Sequence, residues 1–138
     1  MGFYAEPWLR EARNRIDSLP SQPGDEEVGQ AEFDNLAGAV DKAIKAALVE
    51  SHGSLPRQLE HAKLVSICQT TGIWDILPPA LKALVQEVDS YQSATGLPSN
   101  QSSSAQLKKY FFVARRLIDY MEFHVIGNDS VLKRLKVA

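Results

Sequence analysis

Apolar positions recur at helical spacing along almost the whole chain. Between 33 and 48, Phe33, Leu36, Ala37, Val40, Ala43, Ile44, Ala47 and Leu48 fall on one face, the i, i+3, i+4, i+7 pattern of an amphipathic helix. Alanine is dense here, at 37, 39, 43, 46 and 47, with Gly38 beside it. Small side chains let a second helix approach closely, and alanine is the strongest intrinsic helix former. The stretch reads as the central helix of a bundle with solvated Lys42 and Lys45 one turn apart or, more sharply, as a packing and dimer face with those lysines as a basic rim beside it.

The same reading divides the rest of the chain. A first helix is predicted from about Tyr4 to Leu19, with Tyr4, Trp8, Leu9, Ala12, Ile16 and Leu19 inward and Pro7 tolerated in its first turn. Pro20 to Gly24 breaks it. The alanine-rich helix then begins near Asp25, whose acidic neighbours suit a helix start, and stops at Gly53 after Ser51. Leu55-Pro56 opens a third helix that carries Leu59, His61, Leu64, Val65, Ile67 and Cys68 and ends near Gly72. Residues Ile73 to Leu77 form an apolar connector. Pro78-Pro79 opens a fourth helix with Leu81, Leu84, Val85, Val88 and Tyr91. A polar loop runs from Ser93 to Ser104. The last long helix spans Ala105 to Ile126, with Leu107, Phe111, Ala114, Leu117, Ile118, Met121 and Val125 buried. Gly127-Asn128 ends it, and Asp129-Ser130 caps a short helix over Val131 to Leu135. Strand-like alternation and internal repeats are absent from the sequence. The expected fold is all-α, an up-and-down antiparallel bundle of four to five helices, with one domain over 1–127 and a tail or short helix over 128–138.

Composition narrows the function classes. The 138 residues include 15 Lys+Arg and 17 Asp+Glu, so any polyanion site must be a local patch rather than a bulk field. One cysteine, Cys68, excludes an intrachain disulfide and a cysteine-rich zinc site, and it fits a cytoplasmic setting. No apolar run nears the roughly 20 residues that cross a bilayer, and the first residues lack a signal-peptide pattern, so no membrane partner is expected. Phosphate-cradling glycine loops, a GxSxG elbow and an HExxH pair are all missing from the sequence; no metal or cofactor is expected.

Two groups carry candidate chemistry. His61, with Arg57 one turn before it, resembles a phosphodiester-handling pair, in which guanidinium holds oxygens and imidazole moves protons near neutral pH. The alternative is a partly buried histidine bonded to a local partner. Lys108, Lys109, Arg115 and Arg116, interleaved with Tyr110, Phe111 and Phe112, form an aromatic and basic cluster able to stack and neutralise nucleotides, or simply a core stripe beside a solvated face.

The stretch Ala39-Val40-Asp41-Lys42-Ala43-Ile44-Lys45-Ala46-Ala47-Leu48 resembles the AxEKALKALL helix of HEPN domains. His61-Ala62-Lys63-Leu64 is similar to that family's HxxL helix start, Tyr91 to Pro98 to its YxxxRYP segment, and Trp8 to Ala12 to its WLxxA opening. The likeness covers about Tyr4 to Ile126. It implies an antiparallel bundle that forms a homodimer and associates with nucleotides, RNA or a partner protein, often in toxin–antitoxin or defence modules beside a small nucleotidyltransferase. Many HEPN toxins are metal-independent ribonucleases with an arginine and a histidine separated by a longer run. Here Arg57 and His61 have three residues between them, and Gly96 and Leu97 replace the arginine and tyrosine of the YxxxRYP segment. The expectation is a non-catalytic HEPN-type binding module with Lys42, Lys45, Arg57 and His61 as an anion-facing rim. A divergent ribonuclease using Arg57 and His61 is the enzymatic alternative. A histidine phosphotransfer bundle is a third, although Leu64 stands where its motif has lysine.

Overall fold

Helix starts and their partners set the architecture. The computed structural model describes residues 4–17, 30–53, 55, 57, 62–93 and 104–135, and side chains within these except at 30–33, 91–93 and 104–108. Helix α1 is Glu6–Asp17 and α2 is Gln30–His52. Then come α3 (Leu64–Thr71), a single turn α4 (Ile73–Ile76) and α5 (Pro79–Ser93). Helix α6 is Ser104–Tyr120, continued by a π-helical turn over Met121–Ile126, and α7 is Asp129–Leu132. No strand occurs among the described residues, and the fold is all-α.

Cross-chain contacts fix the directions. At the start of α1, the amides of Tyr4 and Ala5 donate to Glu50 Oε1 at the end of α2, at 2.9 and 3.0 Å. At the other end of α1, Arg15 lies over Gly38, early in α2, where a Cβ would stand 2.5 Å from its guanidinium. The two helices are therefore antiparallel. Arg13 bonds Asp119 and Glu122, while Asp17 pairs with Arg115, so α1 also runs antiparallel to α6. Along α5 and α6, Ala80 lies beside Tyr120 and Glu87 beside Lys109, a third antiparallel pair. The four long helices alternate in direction, up and down, as expected.

Helix α2 is the centre. Every residue from Ala43 to Val49 is buried, Lys45 included. The stretch is the central helix of the bundle, as the first reading has it, but Lys45 is not solvated and the sharper dimer-face reading fails. The alanine-rich stretch is a packing surface, but Ala39, Ala43, Ala46 and Ala47 are wholly covered within one chain and leave no dimer face there. The reason is geometric: a helix surrounded on all sides by α1, α3, α5 and α6 uses its small residues to admit all of them. Around it, Ile16, Leu64, Ile67, Val85, Leu117, Ile118 and Met121 complete the core.

Other expectations are corrected in detail. The third helix begins at Leu64 rather than at Leu55-Pro56, because Lys63 is extended (φ −67, ψ 144). Its first amides are instead met from α5: Leu64 and Val65 donate to the two oxygens of Asp89, at 2.9 and 2.8 Å. Tyr4 is 52% exposed, outside the first helix's buried face. The final short helix is capped by Asn128, whose Oδ1 accepts from Ser130 and Val131, one residue before the expected Asp129. Gly53 and Gly72 do stop their helices, both at positive φ (86 and 91), with amides returning to Val49 and Cys68. Leu19, the predicted start at Asp25 and most of the Ser93–Ser104 loop lie outside the described residues. No helix among those described is long and apolar enough to cross a membrane.

Candidate functional site

The expected anion rim does not assemble among the described residues. Lys45 is 7% exposed, and its ammonium sits 2.8 Å from Asp41 one turn back, so its charge is neutralised inside the bundle. Lys42 turns the other way, its Nζ 4.7 Å above the Trp8 ring in a cation–π contact. Arg57 is exposed. His61 lies outside the described residues. No group of three metal-ligating side chains occurs among those described.

The second cluster fares differently. Phe111 is core, as expected. Its neighbour Phe112 is 62% exposed, and the Arg116 guanidinium carbon lies 5.7 Å from its ring. Arg115 leaves the cluster to pair with Asp17 at 3.3 Å. Three turns on from Phe112, Phe123 is 63% exposed. Phe112, Arg116, Asp119 and Phe123 recur at spacings of four, three and four, so they share one stripe of α6 and its π-helical continuation. That stripe lies opposite Ala114, Leu117, Ile118 and Met121, on the side where solvent normally selects polar residues.

Beside the stripe, a groove of about 340 Å³ opens between the start of α5 and the end of α6. Leu81 and Val113 line it with Arg116, Tyr120, Phe123 and His124. Tyr120 is held rigidly: its hydroxyl donates to the Ile76 carbonyl at 2.5 Å, and its ring lies 5.1 Å from that of His124. Burial pushes the Tyr120 phenol above its ordinary range. A second groove of about 360 Å³ shares Ala80 and Val113 with the first and carries the depression along α5 and α6 to Glu87 and Lys109.

The π-helical turn shapes this end. The Gly127 amide reaches back five residues to the Glu122 carbonyl at 2.9 Å. A Cβ at Gly127 would stand 3.0 Å from that oxygen and 3.2 Å from the Phe123 carbonyl, which accounts for glycine there. In the sequence, the spacing of Phe112, Arg116, Asp119 and Phe123 is the signal for the stripe, lying beside the stronger inward repeat that contains Phe111.

Chemically, the surface combines two solvent-facing aromatic rings, a guanidinium, a carboxylate and a shallow apolar channel. The one cysteine of the chain, Cys68, lies away from solvent in the core. Comparison with known proteins finds no matching family model, no matching curated protein and no matching solved structure.

Proposed function

We propose that the chain is a non-catalytic, HEPN-type helical-bundle module that acts by binding a protein partner through the outward face of α6. The observation that carries this is the exposure of Phe112 and Phe123 on a single outward stripe of an amphipathic helix and its continuation, opposite the buried face. Large apolar side chains gathered on a solvent face, next to an open groove and bordered by charge, have the composition of a protein-binding surface, where aromatic residues and arginine dominate affinity. Dilute protein is expected to bind an apolar fluorescent dye in its native state, and Phe112→Ser and Phe123→Ser to reduce that binding without lowering the melting temperature. Dye binding indifferent to both substitutions overturns the reading.

A second reading rests on Arg116 and His124 sharing the groove with Phe123. A base stacked on phenylalanine with its phosphate on arginine is ordinary nucleotide chemistry. Asp119 in the same groove opposes it by repelling phosphate. Titration with ATP, GTP and a short RNA separates the two: saturable binding that Arg116→Ala abolishes favours the nucleotide, and its absence favours the protein partner.

A further inference from the structure

The two grooves beside the stripe share Ala80 and Val113 and form one trough between α5 and α6. From Lys109 to Tyr120, both within α6, it spans about 16 Å at 1.5 Å per residue, three turns of a helix. Its floor is apolar, with Tyr110 and Val113 from α6 and Leu81 and Leu84 from α5. On the α5 wall, Ala80 and Ala83 are exposed, and such small side chains let a further helix approach closely. We propose that the trough seats an amphipathic α-helix of a partner protein, with two carboxylates two turns apart along one edge of its apolar stripe. The inference rests on the reading of α6 as a protein-binding face and names the chemistry of the partner.

Charge selects this occupant. Lys109 and Arg116 line the α6 wall two turns apart, about 10 Å, and both are exposed. Among the described residues, neither pairs with a carboxylate. The carboxylate on the same wall, Asp119, is already bound by Arg13 at 3.0 Å, so the α6 wall presents net positive charge. Glu87 stands on the opposite wall and repels acid there, which turns the partner's acidic edge toward α6. At the far end, Tyr120 and Phe123 offer rings against which an apolar anchor of the partner packs. A helix suits the trough better than an extended segment. Both walls are helices, and no strand edge that could pair with a peptide backbone occurs among the described residues.

Fluorescence anisotropy of a labelled model peptide, titrated with the full chain, tests this. The peptide has about 14 residues, with leucine at the a and d positions of its heptads, glutamate at each e position and an i, i+4 lactam on its outer face to hold the helix. Saturable binding is expected. Replacing the glutamates with lysine is expected to weaken it by about tenfold or more. Ala83→Arg fills the trough from an exposed position and is expected to weaken binding as much. Gln86→Arg, which adds the same charge to α5 outside the trough, is expected to leave it unchanged. The double variant Lys109→Glu, Arg116→Glu is expected to reverse the preference, so that the lysine peptide binds better. Thermal melting of each variant is the folding control, and none of the replaced side chains is buried. Absence of saturable binding by the glutamate peptide overturns the proposal, as does binding indifferent to Ala83→Arg or to the exchange of charge. If the peptide fails and a short RNA binds saturably, the trough is a nucleic-acid site. If it fails and the chain self-associates in a way that Ala83→Arg abolishes, the occupant is a second copy. Failure of the parent reading is seen separately: dye binding that Phe123→Ser lowers, without peptide binding, keeps the face for a partner of another shape, whereas unchanged dye binding removes the face itself.

Discussion

The carboxylate of Asp89, deep in α5, accepts the amide of Leu64, the first residue of α3, at 2.9 Å. Its other oxygen takes the Val65 amide. Lys63, at the position where a local cap would stand, supplies no side-chain bond. A helix start is thus capped from another helix, and Glu50 serves the start of α1 in the same way. Each carboxylate also meets the positive end of a helix dipole.

Asp89→Ala is expected to destabilise the fold by about 1–3 kcal/mol, since it leaves two amides at a buried helix end without their acceptor. Asp89→Asn keeps one acceptor oxygen and should lose less. Chemical denaturation of both variants checks the order; equal stability of Asp89→Ala and wild type would show that the cap contributes nothing.

Burial pushes the Cys68 thiol from its ordinary 9.0 up to about 12, with the nearby Asp89 charge adding to the effect. The thiol should therefore resist alkylation in the native protein at pH 8 and react on unfolding. The linkage has a definite sign. Between pH 9.0 and about 12 the folded chain holds a proton that the unfolded chain releases, so this contribution to stability is complete below pH 9.0 and declines as pH rises. Its limiting slope is about 1.4 kcal/mol per pH unit. Cys68→Ala should flatten that alkaline decline in a denaturation series.

Ala43 and Ala47 have no exposed surface. Replacing either with leucine forces several side-chain carbons into a filled core, with an expected loss of about 1–3 kcal/mol. The substitution should lower the melting temperature while leaving the concentration dependence of sedimentation unchanged, because the alanine face is internal to one chain.

Tyr120→Phe removes the bond to the Ile76 carbonyl, with an expected loss of about 1 kcal/mol. The raised phenol gives it an alkaline signature. Stability from the protonated form is present below the ordinary tyrosine value of 10.0 and lost as pH climbs past it. Ultraviolet titration should show one phenol fewer ionising late in the variant than in the wild type.

The long helices were legible because their burial follows from periodicity alone: Leu9, Ala12 and Ile16, or Leu81, Leu84, Val85 and Val88, are inward as their spacing requires. The start of α3 was not, because the group that caps Leu64 comes from 25 residues further along the chain. A local reading could find only Pro56, a permissive residue, and so opened the helix too early. Lys45 misled for a related reason. Periodicity marks the faces of a helix with one solvent side, and α2 has almost none along Ala43–Val49. At the site, Phe111 is inward as its spacing requires, while Phe112 and Phe123 belong to the outward face, where apolar periodicity carries no expectation. Of the HEPN-like landmarks, Trp8 to Ala12 lies on α1 and Ala39 to Leu48 on α2, while His61 and Ala94–Pro98 lie outside the described residues.

The wider turn at Met121–Ile126 gives this end of the chain slack in its register. It carries one residue more per turn than an α-helix would, with Gly127 closing the surplus onto Glu122. Removing a single residue there is expected to return the turn toward ordinary helical winding while repacking the buried Met121, Val125 and Ile126. The same deletion within α2 rotates everything beyond it by about 100° and turns buried alanines away from their partners. A one-residue change of length is therefore expected to disturb the fold less at the edge of the α6 groove than at the centre of the bundle.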